Sequence, residues 1–175
     1  SDVTFSLKDN NVKVHNKRSE PWTITLVDTG EKTMTGGRLK RVKEYLDDGE
    51  NFCMTYGDGL SNINIRELIK FHEHHGDSAT VSVVYPPGRF GSVELDGEKV
   101  VQFNEKPKGD GALVNGGYFV LSTKVIDLID GDDTVWEAEP MKNLAKSGQI
   151  SSFLHEDFWQ PMDTLRDKEY QEGLW

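Results

Sequence analysis

The sequence has one cysteine in 175 residues, Cys53, so no internal disulfide can form and a reducing cytoplasm is the expected setting. It has no apolar run of membrane-spanning length and no basic start followed by an apolar middle, so no membrane partner is expected. Positive charge is scarce: 20 Lys and Arg stand against 30 Asp and Glu, a net charge of −10. That balance argues against a nucleic-acid partner, because phosphate backbones demand an excess of Lys and Arg. What remains is a globular composition, with 35% hydrophobic residues, 10% aromatics and a turn vocabulary of 17 Gly and 6 Pro. The length suits one domain, residues 1–175.

Residues 3–7 and 12–15 alternate apolar and polar around Asp9-Asn10-Asn11, which predicts a hairpin. Residues 22–27 read as a strand closing at Asp28-Thr29-Gly30. Leu39, Val42, Tyr45 and Leu46 form a helical stripe, and residues 51–56 a strand buried on both faces. A helix capped by Asn62 carries Ile65, Leu68, Ile69 and His72 and ends at Gly76. Strands are expected over 79–85, 114–121 and 150–154, and a second hairpin turns at Asp96-Gly97. Helices are expected over 125–129, 136–146 and 163–174. This alternation predicts an α/β fold: a mixed, mostly parallel sheet flanked by helices, with β-hairpin insertions.

In an open α/β sheet, ligands bind beyond the carboxyl ends of strands. Asp58, between Gly57 and Gly59, follows the 51–56 strand, and its flanking glycines let a ligand or metal approach the backbone. Gly-Asp-Gly is also simply a good turn. Asp163 stands between the aromatic stretch Phe158-Trp159-Gln160-Pro161-Met162 and a helix, as a cap or as a pocket acid. Glu105-Lys106-Pro107 follows a strand and reads either as a site cation or as a solvated ion pair. Asn115 before Gly116-Gly117 implies a bulge, with or without a sugar hydroxyl to read. Gly36-Gly37-Arg38 opens a helix, where backbone amides bind anions or base edges and Arg38 adds donors.

Other chemistries lack their parts. There is no Gly-x-Ser-x-Gly nucleophile elbow and no Walker loop. His72 and His75 share a helix face but lack a third ligand, so His72 is read as packing, and His74 and His75 as exposed.

The segments Val27-Asp28-Thr29-Gly30, Thr35-Gly36-Gly37-Arg38, Tyr56-Gly57-Asp58-Gly59, Pro86-Pro87-Gly88-Arg89-Phe90-Gly91, Glu105-Lys106-Pro107, Asn115-Gly116-Gly117, Trp136-Glu137-Ala138-Glu139-Pro140 and Trp159-Gln160-Pro161-Met162-Asp163-Thr164 occur in an order that resembles the nucleoside-diphosphosugar pyrophosphorylases. The resemblance implies a sugar-nucleotide-binding fold and one reaction, in which a nucleoside triphosphate and a sugar 1-phosphate give a nucleotide sugar and pyrophosphate. It points to CTP and glucose 1-phosphate as substrates and to a homo-oligomer for the full-length protein. It implies that Asp58 and Asp163 hold Mg²⁺, and that Lys106 faces the sugar phosphate with Glu105, Asn115 and Gly116 around the sugar. Thr33, Gly37, Arg38, Tyr56 and Gly57 become the implied nucleotide contacts. A non-catalytic nucleotide-sugar-binding module, or thymidylyl or uridylyl transfer on the same fold, stands as the alternative.

The family's Gly-rich triphosphate loop, with its Arg and following Lys, has no counterpart here. The resemblance therefore implies a fragment lacking that strand and loop, inactive by itself because positioning is the mechanism. Such a fragment is also expected to show an exposed apolar sheet edge or face.

Overall fold

The computed structural model describes residues 3–15, 21–46, 49–86, 92–104 and 112–174. Strands β1 (Val3–Ser6) and β2 (Asn11–Val14) form the first predicted hairpin. Residues 22–27 form no strand. They find no partner among the described residues, and Trp22, Ile24 and Leu26 stand 74%, 73% and 92% exposed. Helix α1 (Thr35–Arg41) buries Leu39, and a single tight turn over Lys43–Tyr45 follows it.

The central sheet contains β3 (Asn51–Thr55), β5 (Ala79–Val84), β8 (Val114–Ser122) and β9 (Ile150–His155), in the order β3-β8-β5-β9. Strands β3, β5 and β9 share one direction, and β8 runs against them between β3 and β5. The sheet is therefore mixed as expected, but among the described residues only the β5/β9 ladder is parallel, because the reversed β8 occupies the middle. Strand β3 departs further from expectation. It is an edge strand of alternating half-buried and exposed residues, since nothing among the described residues pairs with its outer side.

The alternation along β8 distributes the core. Phe119 and Leu121 join Leu39, Trp136 and Leu144 on one face, while Val120 meets Ile63 and Leu68 on the other. Each fully buried side chain of this size contributes about 1.5–3 kcal/mol by leaving water. Helix α2 (Ile65–His75) covers the second face with Leu68 and His72, one turn apart. Its cap is Asn64, which accepts the Glu67 amide at 3.2 Å; the expected cap, Asn62, instead donates to Asp157 at 2.7 Å. The helix ends as predicted at Gly76, which has φ of 72°.

His72 is buried as read, whereas His75 is half-buried rather than exposed. It lies over Thr80, whose hydroxyl it shares with His72. Strands β6 (Ser92–Asp96) and β7 (Lys99–Asn104) form the second hairpin. Residues 123–128 form a 3-10 helix, α3 spans Glu139–Lys146 and α4 spans Leu165–Leu174. A further ribbon, absent from the sequence reading, pairs β4 (Gly59–Ser61) with β10 (Trp159–Pro161).

Candidate active site

The β4/β10 ribbon brings together acids that lie a hundred residues apart in the chain. Pro161 pairs with Gly59, and one step further out the Met162 amide donates to the Asp58 carbonyl at 2.7 Å. Asp58 and Asp163 thereby line one cavity of about 220 Å³ with Tyr56, Asn115, Gly116 and Trp159. The aromatic stretch before Asp163 is thus partly a pocket wall, as its composition suggested, with Trp159 and Pro161 in the lining.

The opposite wall is a bulge in β8. Val81 faces Phe119 and Val83 faces Asn115, so the single residue Ser82 on β5 opposes residues 116–118 on β8. Gly116 and Gly117 are there for space and conformation. A Cβ on Gly116 would lie 2.6 Å from Ser82 Oγ; Gly117 has φ of +79°, and its Cβ would lie 2.8 Å from the Tyr56 ring. The Asn115 Oδ1 accepts the Gly117 amide at 2.8 Å, and the Trp159 indole donates to the Gly116 carbonyl at 2.8 Å, fastening ribbon to bulge. Asn115 therefore both shapes the bulge and lines the cavity. Gly57 and Gly59 differ from Gly117: a Cβ on either would meet nothing within 4 Å. Packing among the described residues does not require glycine there, which leaves room for a ligand.

Tyr56 sits between two polar partners. Its hydroxyl donates to Glu137 Oε1 and accepts from Asn115 Nδ2 at 3.3 Å. Burial first, and then the Glu137 carboxylate, push the Tyr56 phenol well above the ordinary tyrosine range, so it remains a neutral donor.

The expected nucleotide contacts divide into two groups. Tyr56 is at the cavity with Gly57 next to it, whereas Thr33, Gly37 and Arg38 are not in its lining. Arg38 donates to Thr29 Oγ1 at 2.7 Å and to the Glu31 carbonyl at 3.2 Å. Thr33 and Gly37 are buried, and a Cβ on Gly37 would come within 2.5 Å of the Asp132 carbonyl oxygen. The Gly36 and Gly37 amides both donate to the Thr134 carbonyl, at 2.9 and 3.2 Å. The reading of those amides as anion donors is therefore corrected. They dock α1 onto residues 132–134, where Arg41 also pairs with Asp132 through two hydrogen bonds of 2.9 and 2.5 Å. Glu105 and Lys106 lie outside the described residues.

Sequence reasoning gave Glu137 no role. Its carboxylate accepts from both Tyr56 and Thr35, the latter at 2.7 Å, and only the spatial meeting of three segments reveals this.

An acid pair thus faces a glycine bulge across one open cavity on a mixed α/β sheet. The chain belongs to the Nucleotidyl transferase family, which it matches over residues 6–159. It is 58% identical over all 175 residues to the glucose-1-phosphate cytidylyltransferase of Salmonella typhi, spanning 68% of that protein. It is 41% identical over 157 residues to the probable glucose-1-phosphate cytidylyltransferase of Bacillus subtilis strain 168, covering 89% of this chain and 61% of that protein. The fold resembles that of a putative glucose-1-phosphate thymidylyltransferase from Bacillus anthracis, with a TM-score of 0.63 at 16% identity over 83% of this chain and 62% of that one. No helix among the described residues is long and apolar enough to cross a membrane.

Proposed function

We propose that this chain carries the metal and sugar side of an active site that makes CDP-glucose and pyrophosphate from CTP and glucose 1-phosphate. The observation that carries the reading is the convergence of Asp58 and Asp163 on one cavity walled by the Asn115-Gly116-Gly117 bulge. The 58% identity to a glucose-1-phosphate cytidylyltransferase supports the choice of base and sugar. In the reaction, a phosphate oxygen of the sugar 1-phosphate attacks the α-phosphorus of CTP, and the bond to the bridging oxygen breaks to release pyrophosphate. Such a transfer needs alignment and charge neutralisation, not a protein nucleophile.

The donor set fits Mg²⁺. Among the described residues no cluster of three or more His, Cys, Asp or Glu forms a closed protein cage. Two carboxylates at an open cavity suit a hard ion that completes its shell with water and substrate phosphates. Asp58 and Asp163 would hold it, and the bound ion would neutralise charge building up on the phosphates. Trp159 and Tyr56 shield the cavity wall, and Asn115 supplies an amide to hexose hydroxyls. Lys106 and Glu105 complete the sugar-phosphate side in this reading.

Calorimetric titration of the chain with CDP-glucose, with and without Mg²⁺, tests the proposal. Binding that strengthens with Mg²⁺ and loses that gain in Asp58→Asn is expected. Metal-independent binding, or tighter binding of UDP-glucose or dTDP-glucose, would overturn it. A non-catalytic module is the less favoured alternative, because a pure binder has little need of the acid pair.

A further inference from the structure

Glu137 lies in the turn before α3, two residues from the start of that helix, yet its carboxylate faces the cavity wall. It accepts the Tyr56 hydroxyl on Oε1 and the Thr35 hydroxyl on Oε2, the latter at 2.7 Å. Thr35 Oγ1 in turn accepts the Trp136 amide at 2.9 Å, so the hydroxyl proton of Thr35 has one direction left, toward Glu137. The line continues from Tyr56 to Asn115 Nδ2 at 3.3 Å, and from Asn115 Oδ1 to the Gly117 amide at 2.8 Å.

The direction of every proton in this line follows from the carboxylate, which can only accept. The Tyr56 O–H must point at Glu137, leaving the phenol oxygen free to accept. Only the amide nitrogen of Asn115 can then face it, which puts Oδ1 on Gly117. Remove the charge, and Tyr56 can turn its proton to Asn115, where it meets the amide's own N–H, so the orientation rests on the Gly117 amide alone. Asn115 uses one of its two N–H donors and one Oδ1 lone pair within the protein; one of each remains.

Building on the proposed function, we propose that Glu137 is a positioning residue for the sugar: through Tyr56, and together with the Gly117 amide, it holds the Asn115 amide in the orientation that presents one donor and one acceptor to a hexose hydroxyl. It touches no substrate itself. Its effect is expected on the sugar because the line ends at Asn115 and Gly117 on the bulge wall, opposite the β4/β10 ribbon that the acid pair flanks.

The test compares CDP-glucose with CDP, so that the difference reports the sugar alone. In the full chain, Glu137→Gln is expected to weaken CDP-glucose about tenfold while leaving CDP affinity unchanged, and Tyr56→Phe, at a residue that itself lines the cavity, is expected to weaken CDP-glucose by a similar factor. The double variant should be no weaker than either single one, because both break the same line. Additive losses, equal losses for CDP and CDP-glucose, or unchanged CDP-glucose affinity in Glu137→Gln would overturn the positioning role. If the unmodified chain binds neither ligand, the proposed function itself fails and the positioning role goes with it. Retention of CDP binding in either variant shows that it is folded.

Discussion

The Met162 amide donates to the Asp58 carbonyl at 2.7 Å, and that bond marks where a three-residue ribbon ends and the acid pair begins. The ribbon places Asp58 and Asp163 just beyond the same end of two adjacent strands, so both acids depend on its attachment to the sheet. One side-chain attachment is the Trp159 indole, which donates to the Gly116 carbonyl at 2.8 Å; another is the Tyr118 hydroxyl, which donates to the Gly59 carbonyl at 3.1 Å. Trp159→Phe keeps the aromatic wall but removes the first donor and leaves a half-buried carbonyl unpaired. A loss of about 1 kcal/mol in urea unfolding is expected. A larger loss would show that the indole's bulk, not its N–H, fastens the ribbon.

The proposed function makes Asp58 and Asp163 one metal site, so the two acids should act as a unit. Asp58→Asn and Asp163→Asn are each expected to remove the Mg²⁺-dependent gain in CDP-glucose affinity, about tenfold or more, and the double variant should lose no more than either single variant. Titration of each variant against Mg²⁺ at fixed ligand measures this. Independent, additive losses would mean that the acids serve different groups.

The glycines around the cavity should separate into two kinds. Gly117→Ala must adopt φ of +79° and bring a Cβ to 2.8 Å from the Tyr56 ring, so a destabilisation of about 1–3 kcal/mol is expected. Gly57→Ala meets nothing within 4 Å, so its stability should change by less than about 0.5 kcal/mol. Its affinity for CDP-glucose should nevertheless fall, because the added methyl enters the space left for ligand. Denaturation and calorimetry on the same two proteins give both readings, and a Gly57→Ala variant with full affinity would return that glycine to an ordinary turn.

Strong local signals survived folding well. The Asp9-Asn10-Asn11 and Asp96-Gly97 turns, the end of α2 at Gly76 and the bulge at Gly116-Gly117 each depend on residues close in sequence, and each appears as read. Asp58 and Asp163 were singled out by local turn and cap chemistry and by the resemblance. Their meeting was legible only through the resemblance, because it depends on the pairing of β4 and β10, each three residues long and too short to show a period. The strand expected over 22–27 failed for the converse reason: its alternation is clear, but a strand also needs a partner. The glycines at 36 and 37 looked like an anion loop because sequence shows the amides and not their acceptor, the Thr134 carbonyl. Asn62 lost the cap of α2 to Asn64 by two residues, a distance at which several polar side chains compete for one amide.

The pair of histidines on α2 sets a pH limit on stability. The Asp77 amide donates to His75 Nδ1 at 2.9 Å, so the proton of neutral His75 is on Nε2, 2.7 Å from Thr80 Oγ1. The Thr80 hydroxyl then donates to His72 Nδ1 at 2.9 Å. Protonating His72 would put a second proton into that bond and a charge into a site that is 2% exposed. Burial first, and then the neighbouring His75, lower the His72 pKa from its ordinary value of 6.5, while Glu73 and Asp77 pull weakly the other way. A lowered pKa means that the unfolded chain binds the proton more readily. Stability is therefore fully present above pH 6.5 and declines as the pH falls from there toward the lowered folded value, by up to about 1.4 kcal/mol per pH unit. His72→Leu removes the titrating group, so its unfolding free energy should be lower at pH 7.5 but flatter between pH 6.5 and 5. Urea unfolding across that range checks the sign. An unchanged slope in the variant would assign the pH dependence to other groups.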